Sequence, residues 1–142
     1  MGAILDTNVV IDALADRKPW AKEAQDLLFL ASCGKADLFL TGSTITDIYY
    51  LVNKYVCHDK RKSLEVVRRL LLSLGVANVG LEECLMAAHS NMSDFEDAVV
   101  AEAARTSGQS YIVTRSEDDY VGSSVPAISP AAYLQEIFEG RG

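Results

Sequence analysis

The chain has 142 residues, 49% apolar and 23% charged, with only 9 glycines and 3 prolines. That balance fits one globular domain spanning residues 1–142 and excludes a disordered or fibrous chain. A formal charge of −7 argues against a surface that attracts nucleic acid by bulk charge. The charge is uneven: residues 1–69 carry ten Lys or Arg against nine Asp or Glu, residues 70–142 carry three against eleven, and Lys62 is the last lysine.

In chain order, residues 2–5 form a short apolar run ended by Asp6-Thr7-Asn8, the pattern of a buried strand emptying into a polar turn. A helix follows from Val9. Pro19 suits the first turn of a second helix, with Trp20, Ala24, Leu27, Leu28 and Ala31 at helical spacing and Gly34 closing it. Residues 37–42 read as a second strand. Ser43 or Thr44 can cap a third helix, lined on one side by Ile48, Leu51, Val52 and Tyr55. Asp59 opens a fourth, charged outside and carrying Leu64, Val67, Leu70, Leu71 and Leu74 inside. Residues 76–79 read as a strand and residues 82–89 as a helix. Ser93 is a good N-cap for the helix after it, with Glu96 at the capping-box position and Gly108 at its end. Residues 111–114 and 125–128 read as strands, and Pro130 starts a last helix ending at Gly140. Strands alternating with helices imply a three-layer α/β/α fold around a central, mainly parallel sheet, whose ligands bind outside the carboxyl ends of the strands.

Cys33, Cys57 and Cys84 are few, odd in number and widely spaced, which favours a reducing compartment. His58 and His89 stand at no zinc-ligand spacing from them and read as ordinary surface or helix residues. There is no transmembrane-length apolar run and no signal-peptide pattern at the start, so the cytoplasm is expected.

The chemistry lies in the carboxylates. Asp6 follows the first strand directly. Asp94 and Asp97, three apart, share a helix face, where like charges cost stability unless a cation lies between them. Asp118 and Asp119 follow the strand at 111–113 and its Thr114-Arg115-Ser116 turn. Asp47 sits among Ile45, Ile48 and Tyr49, where a carboxylate must be paired, metal-bound or protonated. Each also has a plain reading: Asp6 as a helix cap, Asp94 as a first-turn acid, Asp118 as a solvated charge, Asp47 as a cap or a partner of Lys54. Together, acids delivered by separate segments to one sheet edge fit a hard-cation site. Oxygen ligands without His or Cys favour Mg²⁺ or Mn²⁺.

The segments Leu5-Asp6-Thr7-Asn8-Val9, Ser43-Thr44-Ile45-Thr46-Asp47-Ile48-Tyr49, Ser93-Asp94-Phe95-Glu96-Asp97-Ala98 and Ile112-Val113-Thr114-Arg115-Ser116-Glu117-Asp118-Asp119-Tyr120, in that order, resemble a PIN domain. More narrowly, they resemble the VapC-like ribonucleases of bacterial toxin–antitoxin pairs. The resemblance implies a divalent-metal-dependent endoribonuclease in which Asp6, Asp94, Asp97 and Asp119 hold Mg²⁺ or Mn²⁺. It further implies that Asp47 acts in catalysis with Asp6, Asp97 and Asp119, standing where the family usually has the longer glutamate. Ser116 stands where many members carry asparagine. Thr7, Thr114 and Ser116 are candidates to position water or phosphate. The resemblance also implies a homodimer and a small antitoxin partner, for which the helices around residues 9–14 and 43–56 offer apolar surface.

Positive charge for RNA is concentrated at residues 54–69, in Lys54, Lys60, Arg61, Lys62, Arg68 and Arg69, with Tyr49, Tyr50 and Tyr55 upstream as candidates to stack on unpaired bases. The plain reading of that stretch is a solvated helix face over core tyrosines. A response-regulator receiver would need a lysine late in the chain, and a haloacid-dehalogenase-type phosphatase an aspartate where Asn8 stands. A dinucleotide or P-loop protein would need a glycine-rich first turn. The remaining alternative is a PIN-like RNA-binding or assembly module without catalysis.

Overall fold

The structure is a computed structural model describing residues 2–140. Its sheet is built from β1 (Ala3–Leu5), β2 (Leu38–Thr41), β3 (Gly75–Ala77), β4 (Tyr111–Val113) and β5 (Ala127–Ile128). Their order across the sheet is β3-β2-β1-β4-β5, and every pairing is parallel. The chain therefore winds outward from β1 to one side, then returns to build on the other. That reversal opens a crevice at the carboxyl ends of β1 and its neighbours, where such sheets bind ligands.

Among the described residues seven α-helices surround the sheet: α1 (Thr7–Leu14), α2 (Ala21–Ser32), α3 (Ile45–Val52), α4 (Lys60–Ser73), α5 (Leu81–Ala88), α6 (Phe95–Thr106) and α7 (Pro130–Phe138). Side chains alternate along a strand, so Ala3 and Leu5 of β1 join one apolar core with Val10, Leu27, Ile48 and Tyr133, while Ile4 faces the other with Val100, Ala103 and Ala104. Both sheet faces are covered, which is why the short strands read as continuous apolar runs. The edge strand β3 approaches β2 at Phe39↔Gly75. A Cβ on Gly75 would fall 2.4 Å from the Phe39 ring, so any side chain here would have to displace that ring.

The expected elements appear in the expected order, with local differences. The second helix begins at Ala21, and Trp20 stands outside the core, 42% exposed. The helix at residues 7–14 is core: Val9, Val10, Ile11 and Ala13 are buried, leaving little apolar surface there for a partner. On α4, Leu70 and Leu74 are buried but Leu64 and Leu71 are exposed. The inward face is rotated toward Ser63, which can be buried because its hydroxyl donates to the Asp59 carbonyl at 2.8 Å and Asn53 Oδ1 at 3.2 Å. Asp59 caps α4 as expected, accepting from the Lys62 amide at 2.9 Å. The cap of α6 is Asp94 rather than Ser93: its side chain accepts from the Asp97 amide at 2.9 Å. Glu96 is thereby one residue too early for a capping box, and the box-type contact occurs at α5, where Glu83 accepts from the Gly80 amide at 2.7 Å.

Candidate active site

Asp6 leaves β1 at the crevice. Its amide donates to the Val113 carbonyl at 2.9 Å, extending the ladder to β4 by one bond. Thr114, fully buried just after β4, donates its hydroxyl to Asp6 Oδ2 at 2.8 Å and accepts the Ser116 amide at 3.0 Å. The threonine thus fixes one Asp6 oxygen and the turn beyond it together. The Tyr120 hydroxyl is buried beside Asp6 and, among the described residues, forms no hydrogen bond of ordinary geometry; burial and the neighbouring Asp6 and Asp97 push its ionisation up.

A cleft of about 290 Å³ opens here, lined by Asp6, Thr7, Asp47, Tyr50, Glu96 and Asp97, among others. Asp47 comes from the first turn of α3, and Glu96 and Asp97 from the first turn of α6. The partial positive charge of a helix N-terminus makes those turns tolerant of acids. The tolerance is incomplete. Burial, then the nearby Asp6, Asp94, Asp119 and Glu96, raise the Asp97 carboxyl from 3.8 to about 6. Burial also raises Asp6, with the hydrogen bonds from the Thr114 hydroxyl and the Thr7 amide and the nearby Tyr120 hydroxyl opposing, and Asp119 adding to the rise. Glu96, exposed at the cleft, is raised by partial desolvation and then by the nearby Asp47, Asp94 and Asp6.

The expected site residues distribute as follows. Asp6, Thr7, Asp47 and Asp97 line the cleft. Asp94 stands at its rim as the cap of α6, and Asp119 lies exposed in the 3-10 turn Glu117–Tyr120, near enough to act on Asp6 and Asp97. Thr114 is a partner of Asp6, and Ser116 reaches the site through its amide. Lys54 does not pair with Asp47; it lies over the rings of Tyr50 and Tyr55. Lys60, Arg61 and Lys62 are exposed at the start of α4, while Arg68 and Arg69 both pair with Glu65. His58 and His89 are exposed, and all three cysteines are free. Among the described residues no helix is long and apolar enough to cross a membrane.

Two features escaped the sequence reading. Glu96 belongs to the cleft, and a carboxylate one residue from Asp97 on a helix start was a hint of it. Asp12, 1% exposed, is held by Arg115, whose Nε donates to Oδ2 at 2.7 Å, and by Arg17 at 3.9 Å. Arg115 in turn lies over the Trp20 ring, 4.1 Å from its centroid. The hint was Asp12 itself, a lone charge in the apolar run of α1, which must find a partner.

Among the described residues, none of Asp6, Asp47, Asp94, Glu96, Asp97 and Asp119 is bridged to a lysine or arginine. Nor are any three His, Cys, Asp or Glu side chains there grouped tightly enough to enclose an ion by themselves. An uncompensated, oxygen-only donor set with carboxyls raised by mutual repulsion nevertheless fits a hard divalent cation, completed by water. The molecule is a parallel α/β/α protein with an acidic cleft at the switch point of its sheet.

The PIN domain model matches residues 2–118, and the chain belongs to that family. It is 26% identical over 121 residues, 82% of each chain, to Ribonuclease VapC1 of Aquifex aeolicus. Its fold is similar to a chain of a toxin–antitoxin complex from Klebsiella pneumoniae, with a TM-score of 0.67 and 19% identity over 91% of this chain and 98% of that one. It is also similar to a chain of DNA-bound VapBC from Salmonella typhimurium, at 0.67 and 16% over 92% and 98%.

Proposed function

We propose that the protein is a divalent-metal-dependent ribonuclease that hydrolyses RNA phosphodiester bonds and serves as the toxin of a toxin–antitoxin pair. The observation that carries this reading is the convergence of Asp6, Asp47, Glu96 and Asp97 on one cleft without a compensating basic side chain. The relative named Ribonuclease VapC1 and the toxin–antitoxin complexes of similar fold support it.

Asp6 and Asp97 are the residues to hold Mg²⁺ or Mn²⁺, with Asp94 and Asp119 at the rim. Bound there, such an ion supplies a water of lowered pKa and stabilises charge on the phosphate and leaving oxygen. Thr114 keeps Asp6 Oδ2 oriented through its hydroxyl, so the carboxylate need not reorganise during reaction. Asp47 and Glu96 face the cleft with exposed carboxyls and orient the attacking water, one of the two accepting its proton. Thr7 lines the same cleft and Ser116 follows the Thr114 turn, both placed to hydrogen-bond water or phosphate. Asp47 is shorter than the glutamate usual in the family, which would favour a module without catalysis. Glu96, one methylene longer and lining the same cleft as Asp47, supports the enzymatic reading instead.

Lys60, Arg61, Lys62, Arg68 and Arg69 form an exposed basic face of α4 for more distant RNA phosphates. A small antitoxin and a homodimer are the expected partners, and the free cysteines fit the cytoplasm. The test is cleavage of a single-stranded RNA oligonucleotide with Mn²⁺ or Mg²⁺ and with chelator. Wild-type protein cuts only with the ion, and Asp6→Asn or Asp97→Asn loses at least about 100-fold, more than a residue behind a metal ligand costs. Undiminished cutting by either variant contradicts the assignment.

A further inference from the structure

An anionic cleft repels the polyanion it is meant to cut, so the substrate needs a grip beside it. The helix that delivers Asp47 carries one. Asp47, Tyr50 and Lys54 stand at i, i+3 and i+7, a spacing that puts them along one face, over roughly 10 Å of helix. Tyr50 lines the cleft yet is 60% exposed. Lys54 lies 5.8 Å from the Tyr50 ring centroid and, among the described residues, forms no ion pair. Here α3 loosens into the π turn Asn53–Cys57, a distortion frequent at functional sites. It sets Tyr55, 48% exposed, beside two cations: Lys54 Nζ and Arg17 Cζ each lie 5.2 Å from its ring centroid. An exposed aromatic ring followed by ordered cations is the pattern that binds single-stranded nucleic acid, by base stacking and phosphate contact.

Resting on the ribonuclease reading above, we infer that Tyr50, Lys54, Tyr55 and Arg17 form the track by which single-stranded RNA enters the acidic cleft. Tyr50 stacks on the base next to the scissile phosphate. Lys54, held over the Tyr50 and Tyr55 rings, takes the phosphate that follows, and Arg17, over Tyr55 while paired with Asp12 at 3.9 Å, steadies that ring and adds positive charge at the track's outer end. Because stacking needs a free base face, the track favours unpaired RNA over a duplex.

The test is steady-state cleavage of a fluorescein-labelled oligoribonucleotide, alone and annealed to its complement, with melting curves to confirm that each variant is folded. Tyr50→Ala raises KM about tenfold, as loss of one stacked base does, with kcat little changed, and Tyr50→Phe restores the wild-type KM. Lys54→Gln raises KM less and reduces the salt dependence of binding by about one ion. Phe29→Ala and Lys22→Gln on α2 leave both constants unchanged. A wild-type KM in Tyr50→Ala, a loss confined to kcat, or equal cutting of the duplex overturns the track while leaving the ribonuclease standing. Wild-type protein that cuts no RNA with either ion overturns both.

Discussion

Asp6 and Asp12 lie at the two ends of one short helix and keep opposite company. Asp12 is buried against two arginines and an apolar helix interior. Asp6 is surrounded by a threonine, a tyrosine and further acids, with no basic side chain bridged to it among the described residues. The first arrangement completes itself: Arg115 closes the charge of Asp12, stacks on Trp20 and ties the turn after β4 to α1. The second is incomplete without something positive from outside. Burial alone therefore does not mark the functional acid, whereas a buried carboxylate left with only hydroxyls and other acids does.

The largest effect that can break this contrast is on stability. Asp12→Asn removes the negative charge and one of the two acceptor oxygens opposite Arg115 and lowers unfolding free energy by about 2–3 kcal/mol, less than a fully buried pair would lose because Arg115 keeps some solvent contact. Chemical denaturation measures it, and a loss no greater than that of Asp6→Asn would erase the distinction between the two acids.

Next is Thr114→Val, which keeps the shape of the side chain but frees Asp6 Oδ2. It lowers ion affinity or cleavage by roughly 10–100-fold, the range for a residue that orients a metal ligand. An unchanged variant would show that Asp6 needs no such alignment.

The smallest effect is the pH dependence of stability. Asp97 holds its proton more tightly folded than unfolded, with a folded value of about 6 against 3.8. Its contribution is therefore fully present below about 4 and lost as pH rises through about 6. At pH 7 without divalent ions, Asp97→Asn melts roughly 3 °C above wild type, allowing for solvent screening of a partly exposed group, and the difference closes at pH 4. A variant less stable than wild type at pH 7 would mean that the acids do not repel one another.

The sequence showed the sheet well, because short apolar runs ending in polar turns are local. It also placed Asp6, Asp47 and Asp97 together, since each follows a strand or opens a helix at the same sheet edge. What it hid depends on long-range partners or on rotation. Arg115 reaches Asp12 across 103 positions. Glu96 lines the cleft from the first turn of α6, whose cap is Asp94 and not Ser93, so its capping-box reading did not apply. On α4, a buried serine satisfied by Asn53 and Asp59 shifted the inward face by one position and left Leu64 in solvent.

The central claim, that the acids around Asp6 lack a cation which a divalent ion supplies, is tested most directly by calorimetric titration of the metal-free protein with Mn²⁺ at pH 7. Wild type binds the ion, and both Asp6→Asn and Asp97→Asn, folded by melting, lose that binding. Wild-type protein that takes up no ion, or variants that bind it as wild type does, would contradict the account.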